Sequence, residues 1–440
     1  MKLFKSDFLK NVGKLFTGSL IAQVIGFVAL IFLAKIYTPE EFGELDTYLK
    51  MAGVVVAIAG LRYEIAIVVE DDVNLAQDIT RLSLFLNTAI TLIVFIGVLL
   101  FKSYISELFH LDHPNLLYLL PLLVWLMSGT EILVNWRNRA KDYNTISTNR
   151  IISSATNVSY KFGHPLQLYI SSNGLVLGTI LGQLIAFFHI IRKLQFSIIS
   201  TSKEALKAVA TKYKSFALFS TPAALVNILA VNMPWFMIAA FDGQSATGQF
   251  GNAYKLTYLP ISMLGMALGQ VFFEQISRLK TDKTESASVS HELVNLMFTA
   301  ALIPVIVLAV WGDIIAPWLL GDTWQEAGVY IQITILFYFS MFLTSSFSSA
   351  FSTYGKLSQQ LVYNVTFLIG TSAALYFGYT IGGDTRTALL WFAIVGTTLR
   401  LFILNYFFVL FGKNLIAKTI FAIILVALLL WLGFGIKDGF

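Results

Sequence analysis

The 440-residue sequence contains no cysteine and few charged residues. Without cysteine the chain has no disulfide framework and no thiolate metal site. Charged residues make up 12% of the chain, about half the usual fraction of a soluble domain. Hydrophobic residues reach 57%, and the mean hydropathy is +0.74. This composition excludes a soluble globular protein and indicates an integral membrane protein.

Signatures of common enzyme classes are missing as well. The sequence has no Walker A motif, no HExxH, no GxSxG and no histidine cluster at metal-ligand spacing. The loops between apolar runs are too short to hold the second substrate of a membrane polymerase. We therefore expect a protein that is not an enzyme and that uses no cofactor or metal. The net charge of +5 comes from loop cations, and we expect no nucleic-acid partner.

Long apolar runs dominate the sequence. Runs of about 18 residues or more can cross the hydrocarbon core as helices. The N-terminus is basic like a signal peptide, but Leu15 to Ile36 is too long and lacks a small-residue cleavage site. The predicted spans lie near 12–36, 43–68, 82–104, 115–138, 149–169, 174–192, 214–241, 248–276, 292–318, 326–352, 358–381, 386–411 and 419–436.

These spans predict an all-α polytopic membrane protein of two six-helix lobes plus one extra C-terminal hydrophobic segment. The first lobe covers residues 1–195 and the second covers 214–411. A basic cytoplasmic linker at 196–213 joins them, and 412–440 carries the extra segment.

Lysine and arginine set the orientation. If the N-terminus is cytoplasmic, most of the 30 cations fall in cytoplasmic loops, as the positive-inside rule requires. The outer segments hold four: Lys35, Lys102, Arg386 and Lys437. The remaining cations lie within spans: Lys50, Arg62, Lys161, Lys255 and Arg400.

An offset repeated in the two halves draws attention to two of these cations. Gly43 precedes Lys50 by the same spacing as Gly248 precedes Lys255, and each pair opens the second helix of its half. The identity around them is low, but position and topology favour an internal duplication over a chance match. Two similarly oriented six-helix halves are a known transporter architecture, with the substrate site between them.

Each cation has a functional and a purely structural interpretation. Lys50 either lines a cavity or snorkels to the interface, with Asp46 one turn before it as a neutralising partner. Lys255 has Gly251 at the position matching Asp46, so a cavity-lining role is favoured there.

Two further cations carry the same ambiguity. Lys161 follows Arg150 on the same predicted span, and a helical rise of about 1.5 Å per residue places it near the bilayer middle. The alternative is a short helix, with "YKFGHPLQ" as an outer loop. Arg400 either binds substrate, bonds a carbonyl or reaches the inner headgroups.

The positions of the carboxylates indicate the sign of the charge on the substrate. Asp46, Glu64, Glu131 and Glu274 fall toward span ends, so we expect the buried charge to be mainly cationic. Such an interior suits a transported anion such as a phosphate or diphosphate.

Several prolines interrupt the apolar spans. Pro222 and Pro234 bracket the span near 214–241, and membrane helices can bend at proline. We expect this pair either to act as a hinge during transport or to fix a static kink.

Five segments in order resemble a known family: "PEEFG", "LRYEIAIVVEDD", "STPAALVNILAVNMPWFMIAAF", "ISMLGMALGQVFFEQIS" and "GDTWQEAGVYIQI". The chain resembles the polysaccharide-biosynthesis branch of the MOP exporter superfamily, which contains the Wzx O-antigen flippases. Lipid II flippases and MATE drug exporters are more distant members. The resemblance covers about residues 10–411.

The resemblance implies a V-shaped bundle with a cationic central cavity. It implies alternating-access transport of an undecaprenyl-diphosphate-linked oligosaccharide across a bacterial inner membrane, with a glycan polymerase and a chain-length regulator as partners beside the membrane lipids. The family's cationic positions fall on Lys50 and Lys255.

The family's RYE motif falls on Arg62, Tyr63 and Glu64. Residues two apart do not face each other on a helix, so we expect these residues at the cytoplasmic mouth rather than in an internal salt bridge. A capped helix end anchored at the headgroups is the alternative.

Two other functions compete with the flippase. A cation-coupled multidrug exporter of the same fold would need an intramembrane acid. A glycan polymerase would need a long outer loop. The extra segment, Thr419 to Ile436, departs from the usual twelve helices of the branch.

Overall fold

A computed structural model describes residues 6–166, 173–198, 201–278, 283–345, 347, 351 and 354–410, and all regular elements within them are helices. The first seven helices are α1 (Ser6–Leu33), α2 (Pro39–Ala59), α3 (Ala66–Val69), α4 (Val73–Leu108), α5 (Leu120–Arg139), α6 (Tyr143–Gly163) and α7 (Gly174–Ile191). The remaining six are α8 (Lys203–Lys212), α9 (Thr221–Arg278), α10 (Lys283–Leu320), α11 (Gln325–Ser345), α12 (Leu357–Gly382) and α13 (Thr385–Leu410).

The described helices have the length and composition of membrane spans. Eight are long and apolar enough to cross a bilayer, and the bent pair Pro39–Ala59 and Tyr63–Val69 makes a ninth when it is taken as one span. The predicted all-α polytopic membrane fold is confirmed. The predicted extra segment, 419–436, lies outside the described residues.

The exposed side chains fit a lipid environment. On α4, Phe85, Ile93 and Leu100 are all exposed. Acyl chains are as apolar as these side chains, so such a surface carries no penalty in a bilayer. Helix α11 shows the opposite pattern, because Ile331, Ile335 and Tyr338 are fully buried.

The chain divides into two compact units, Met1–Asn232 and Met233–Phe440. In the first unit a core forms around Ile67, Ile79 and Ile132. In the second unit a core forms around the aromatic side chains of α11 and α13. The division falls within α9 rather than at the basic linker, and the lobe boundaries drawn from the sequence stay a prediction.

Helix α9 contains a sharp reversal at Gly243. Its backbone there (φ 76°, ψ −161°) leaves the helical region. At 1.5 Å per residue a straight helix would separate Trp235 from Phe250 by about 22 Å. Their ring centroids are 4.8 Å apart. The two segments therefore form an antiparallel hairpin, which matches the spans predicted near 214–241 and 248–276.

Helix α8 lies in the segment that the sequence analysis treated as a basic linker. Its apolar Val209 is buried against Tyr63 and Ile67, and the Tyr63 hydroxyl donates a hydrogen bond to the Ala210 carbonyl at 3.0 Å. Its cations Lys203 and Lys207 are exposed. The segment is therefore an amphipathic helix docked on the first unit.

A carboxylate holds the C-terminal end of α8. Lys212 Nζ lies 2.6 Å from Glu70 Oε2, the Tyr213 hydroxyl donates to the same oxygen, and the Asp72 amide donates to Oε1 at 3.0 Å. These contacts, led by Lys212, lower the pKa of the Glu70 carboxyl to about 2. Glu70 is therefore ionised at neutral pH and fastens α8 to the segment before α4.

We expect Gly243→Ala to destabilise the second unit. Any side chain is strained at this backbone conformation, at a cost of about 1–3 kcal/mol. Gly26→Ala in α1 is the matched control, because no atom lies within 4 Å of an added Cβ there. Equilibrium unfolding in mixed detergent micelles compares the two. Equal stability of both variants would contradict the strained hairpin.

We expect Glu70→Gln to loosen α8. The absence of native cysteine allows a single Val209→Cys reporter, which maleimide reaches only when α8 detaches. Loss of a hydrogen bond to a charged group costs about 1.5 kcal/mol or more, which corresponds to roughly tenfold faster labelling. Glu204→Gln, an exposed acid on α8 itself, is the control and should leave the rate unchanged.

The same contact predicts an acid dependence of α8 docking. Because the pKa of Glu70 is lowered in the folded protein, its contribution is complete above the ordinary carboxyl pKa of about 4.3 and is lost as the pH falls toward about 2. Amide hydrogen-exchange protection factors of α8 should fall over this interval. In Glu70→Gln they should show no such dependence.

Candidate substrate-binding and gating residues

Lys50 lies in the middle of α2. The helix begins with Pro39 after a capping box, in which the Glu41 amide and the Thr38 side chain are 3.4 Å apart and the Thr38 amide donates to the Glu41 carboxylate at 3.0 Å. Lys50 is half-buried, and Asp46, one turn before it, is only 4% exposed. Asp46 therefore lies inside the helix rather than at its end.

Lys161 lies in the last turn of α6 and is 8% exposed. The Tyr37 hydroxyl donates to its carbonyl at 2.7 Å, and a Cβ on Gly178 of α7 would come within 2.8 Å of its Cγ. Helix α6 starts at Tyr143 and ends at Gly163, so Lys161 lies near its end, and the expected depth in the bilayer stays a prediction. The structure places Lys161 level with the start of α2, about three turns from Lys50.

Lys255 lies in the returning half of the α9 hairpin. It is half-buried, and its Nζ donates to Asn252 Oδ1 at 3.2 Å. Asn252 is fully buried. Around this turn stands the tyrosine cluster, which we define as Trp235, Tyr254, Tyr258 and Tyr338, with neighbouring ring centroids 5.1–5.9 Å apart.

Arg400 of α13 reaches the same region of the second unit. Its guanidinium lies 4.6 Å from the Phe367 ring centroid, a cation–π contact. Its charge acts on the Tyr258 and Tyr363 hydroxyl groups, while its buried Nε has no hydrogen-bond partner among the described residues. Tyr258 stands one turn after Lys255 on α9. Lys255, one turn before Tyr258 on the same helix, and Arg400 are therefore both neighbours of the tyrosine cluster.

The prediction against an Arg62–Glu64 salt bridge is wrong. The two side chains approach to 3.7 Å. Residues two apart point away from each other only on a continuous helix, whereas α2 ends at Ala59, and Leu61 (φ 47°) and Arg62 (φ 60°) adopt the left-handed conformation. Residues two apart can face each other in such a turn. Tyr63, between them, is buried against α8.

The expected cationic bias of the buried charge is not found in the first unit. Among its described residues, the buried ionisable side chains are four acids and three bases: Glu44, Asp46, Glu64 and Glu70 against Arg137, Lys161 and His164. Two of these acids have partners near the helix ends, since Glu44 contacts His113 and Glu70 contacts Lys212. In the second unit the two cations predicted within spans, Lys255 and Arg400, are both half-buried.

The two candidate hinge prolines differ in setting. Pro222 is exposed at the start of α9, directly after a π-helical turn at Phe216–Ser220. Pro234 is buried, and the backbone stays helical through it up to Gly243. The hinge itself stays a prediction.

Sequence reasoning missed the tyrosine cluster and the Glu70 contacts. The spacing of Tyr254 and Tyr258 on one helix face was a usable signal. Their contact with Tyr338 of α11 depends on how α9 folds back, and this cannot be predicted from a local sequence pattern. Glu70 lies inside the segment "LRYEIAIVVEDD", but its partners come from α8, far along the chain.

Comparison with known proteins agrees with the fold. The chain is 21% identical over 380 residues to the succinoglycan biosynthesis transport protein ExoT of Rhizobium meliloti (strain 1021), covering 84% of this chain and 74% of that protein. A structure of the lipid II flippase MurJ superposes with a TM-score of 0.71 at 13% identity, covering 96% of this chain and 98% of that one. An inward-facing MATE multidrug resistance transporter superposes with a TM-score of 0.70 at 13% identity, covering 89% and 94%.

Both of these solved structures are of membrane transport proteins. Residues 8–280, more than half of the chain, match a family described as "Polysaccharide biosynthesis protein". The resemblance drawn from the five sequence segments is therefore confirmed. The chain belongs to the polysaccharide biosynthesis protein family.

Proposed function

We propose that the chain moves an undecaprenyl-diphosphate-linked oligosaccharide, an O-antigen or similar repeat unit, across the bacterial inner membrane. Family membership and the transport protein of succinoglycan biosynthesis among its relatives support a glycan substrate. The fold shared with a lipid II flippase supports transport of a lipid-linked form.

The observation that carries this proposal is the pair of cations at the tyrosine cluster. Lys255 and Arg400 lie within apolar helices, where a charge is costly unless it has a function. Arg400 keeps a buried Nε–H without a described partner, so a donor is available to an anionic oxygen. A diphosphate offers several such oxygens, and charge-assisted hydrogen bonds to them are strong.

Aromatic faces next to these cations suit the rest of the substrate. Tyrosine rings present an apolar body together with a hydroxyl group. Sugar rings have both kinds of surface, so Tyr258 and Tyr363 can accommodate the residue attached to the diphosphate. In this proposal Lys50 and Lys161 of the first unit provide further cationic contacts.

The transport cycle in this proposal is alternating access. The diphosphate is received from the inner leaflet, the sugars follow through a polar interior, and the prenyl tail remains in lipid. Arg62, Tyr63 and Glu64 form the cytoplasmic mouth, and Pro222 and Pro234 act as the hinge. The N-terminus is cytoplasmic, and a glycan polymerase with a chain-length regulator acts on the exported unit.

A cation-coupled multidrug exporter is the second candidate. Asp46 and Glu64 favour it, since both are buried carboxylates within membrane helices. Drug-susceptibility assays in a deletion strain separate the candidates. Mass spectrometry of lipid extracts from the same strain should show a lipid-linked single repeat unit under our proposal. Increased drug sensitivity without such a lipid would support the exporter.

We expect Lys255→Ala to reduce surface glycan on the order of tenfold or more, because a charge-assisted hydrogen bond contributes about 1.5–3 kcal/mol. Lys255→Arg should retain more glycan, since it keeps the charge but changes the geometry. Surface glycan is measured by immunoblot against equal amounts of membrane-inserted protein.

Arg400→Ala should give the same loss as Lys255→Ala. Lys207→Ala is the matched control, since Lys207 is an exposed cation of α8, and it should leave surface glycan unchanged. Normal glycan in both Lys255→Ala and Arg400→Ala would remove the tyrosine cluster from the substrate site.

A further inference from the structure

The break between α2 and α3 contains an unusual carboxylate. Leu61 and Arg62 both have positive φ, although neither is glycine or asparagine. Such conformations cost about 1–3 kcal/mol each and concentrate at functional sites. The turn that follows, Tyr63–Ile65, places Glu64 in the interior of the first unit with 6% of its surface exposed.

The buried end of Glu64 is incompletely paired. Its Oε1 lies 3.7 Å from Arg62 Nη1, while Oε2 has no hydrogen-bond partner among the described residues. Arg62 Nε is also buried without a described partner. Glu64 Oε2 lies in the space that a side chain at Gly60 would occupy, because an added Cβ there would come within 2.5 Å of it. Gly60, the residue before the break, therefore leaves room for the Glu64 carboxylate because it has no side chain.

A second carboxylate belongs to the same group. Glu131 of α5 is close enough for its charge to act on Glu64, and the Arg62 charge acts on both acids. The side chain of the next residue, Ile132, lies 3.9 Å from a Cβ built on Gly60. Glu131 is the exposed member of this group, whereas Glu64 is buried. Two carboxylates and one guanidinium leave one excess negative charge.

Neighbouring cations are bound elsewhere. On α4, Arg81 pairs with Asp78 at 2.7 Å. On α5, Arg137 lies 3.7 Å from Asp142, and Arg139 donates to the carbonyls of Glu70 and Asp71. On α8, Lys212 pairs with Glu70. Helix α3 and the π-helical turn contribute no charged side chain.

We propose that Arg62, Glu64 and Glu131 form a proton-binding site whose loading is coupled to transport. One proton bound to either carboxylate removes the excess charge, which is costly within an apolar segment. In this proposal the proton enters at the exposed Glu131, and the Arg62 guanidinium disfavours a metal cation in its place. The described residues contain no set of three acidic or histidine side chains placed to hold a metal. The coupling role rests on the proposed transport function, whereas the proton site does not.

The site is tested first without any substrate. The purified full-length chain in vesicles of phosphatidylethanolamine and phosphatidylglycerol is studied by infrared difference spectroscopy between acidic and alkaline buffer. We expect a carbonyl band of a protonated carboxylic acid that is lost in Glu64→Gln and lost or shifted in Glu131→Gln. Glu107→Gln, an exposed acid of α4, should leave the band unchanged.

Gly60→Ala tests the geometry while it retains both acids. The added methyl group displaces the Glu64 carboxylate, whose flexible end can move, so the band should shift without loss of folded protein. This variant also keeps the proposal testable if Glu64→Gln does not fold. A band that is unchanged in Glu131→Gln and Gly60→Ala would overturn the proton site.

Coupling is tested by surface glycan in cells treated with a protonophore. In the wild type, glycan should fall when the proton gradient collapses, whereas Glu64→Gln should give a low level that no longer responds. Equal sensitivity of both to the protonophore would overturn the coupling. Failure of the proposed function is distinguishable, because the infrared band would persist while the deletion strain accumulates no lipid-linked glycan.

Discussion

The cost of placing a charge inside apolar helices determines most of what is distinctive in this protein. A charged side chain within a membrane segment needs a counter-charge, hydrogen-bond partners, an aromatic face or contact with water. In the first unit the Glu44 carboxylate contacts the His113 backbone and ring nitrogens at 2.7 Å each, and Asn173 at 3.1 Å. In the second unit Arg400 stacks on Phe367 and Lys255 bonds to an amide. In these examples the carboxylate of the first unit is held by hydrogen-bonded partners, and the cations of the second unit contact a ring and an amide.

The same constraint applies to the backbone, because an unpaired amide in lipid costs several kcal/mol. Helix interruptions therefore lie where side chains or tight turns replace the missing bonds. Asn173 caps α7 by accepting from Leu175 and Val176, and Asp72 caps α4 by accepting from Asn74 and Leu75. The break at Leu61 and Arg62 lacks such a cap, since no side-chain cap bond is formed at Arg62. The break at Leu61 and Arg62 is thus uncapped, left-handed and next to a buried acid, and none of these features stabilises the fold.

The spans could be predicted from the sequence because crossing a bilayer requires a local property, the length of an apolar run. The cations within the spans could also be identified from the sequence, since Lys255 and Arg400 interrupt such runs. Their contacts in the folded protein could not. Tyr63 meets Ala210 and Tyr258 meets Tyr338 only after distant segments pack together, and period and composition do not encode that contact.

The errors have the same origin. The Arg62–Glu64 prediction assumed regular helical spacing and failed because two residues leave the helical region. The span predicted near 149–169 was displaced along the chain, because α6 begins at Tyr143 and ends at Gly163. The expectation of a cationic interior counted carboxylates near span ends as exposed, although Glu64 at the helix break is buried.

Separate acidic and cationic sites raise the question of how one could affect the other. Coupling needs an element whose two arrangements both sites bias. Tyr63, next to Glu64, packs against α8 and bonds to Ala210. Helix α8 runs into the π-helical turn at Phe216–Ser220 and then into α9, the helix that continues past Gly243 to Lys255. A π-helical turn has an irregular hydrogen-bond pattern and often occurs at functional sites, and Pro222 removes one more amide donor there. A change of charge at Glu64 that moved Tyr63 would therefore act on the start of α9, whose returning half after Gly243 carries Lys255.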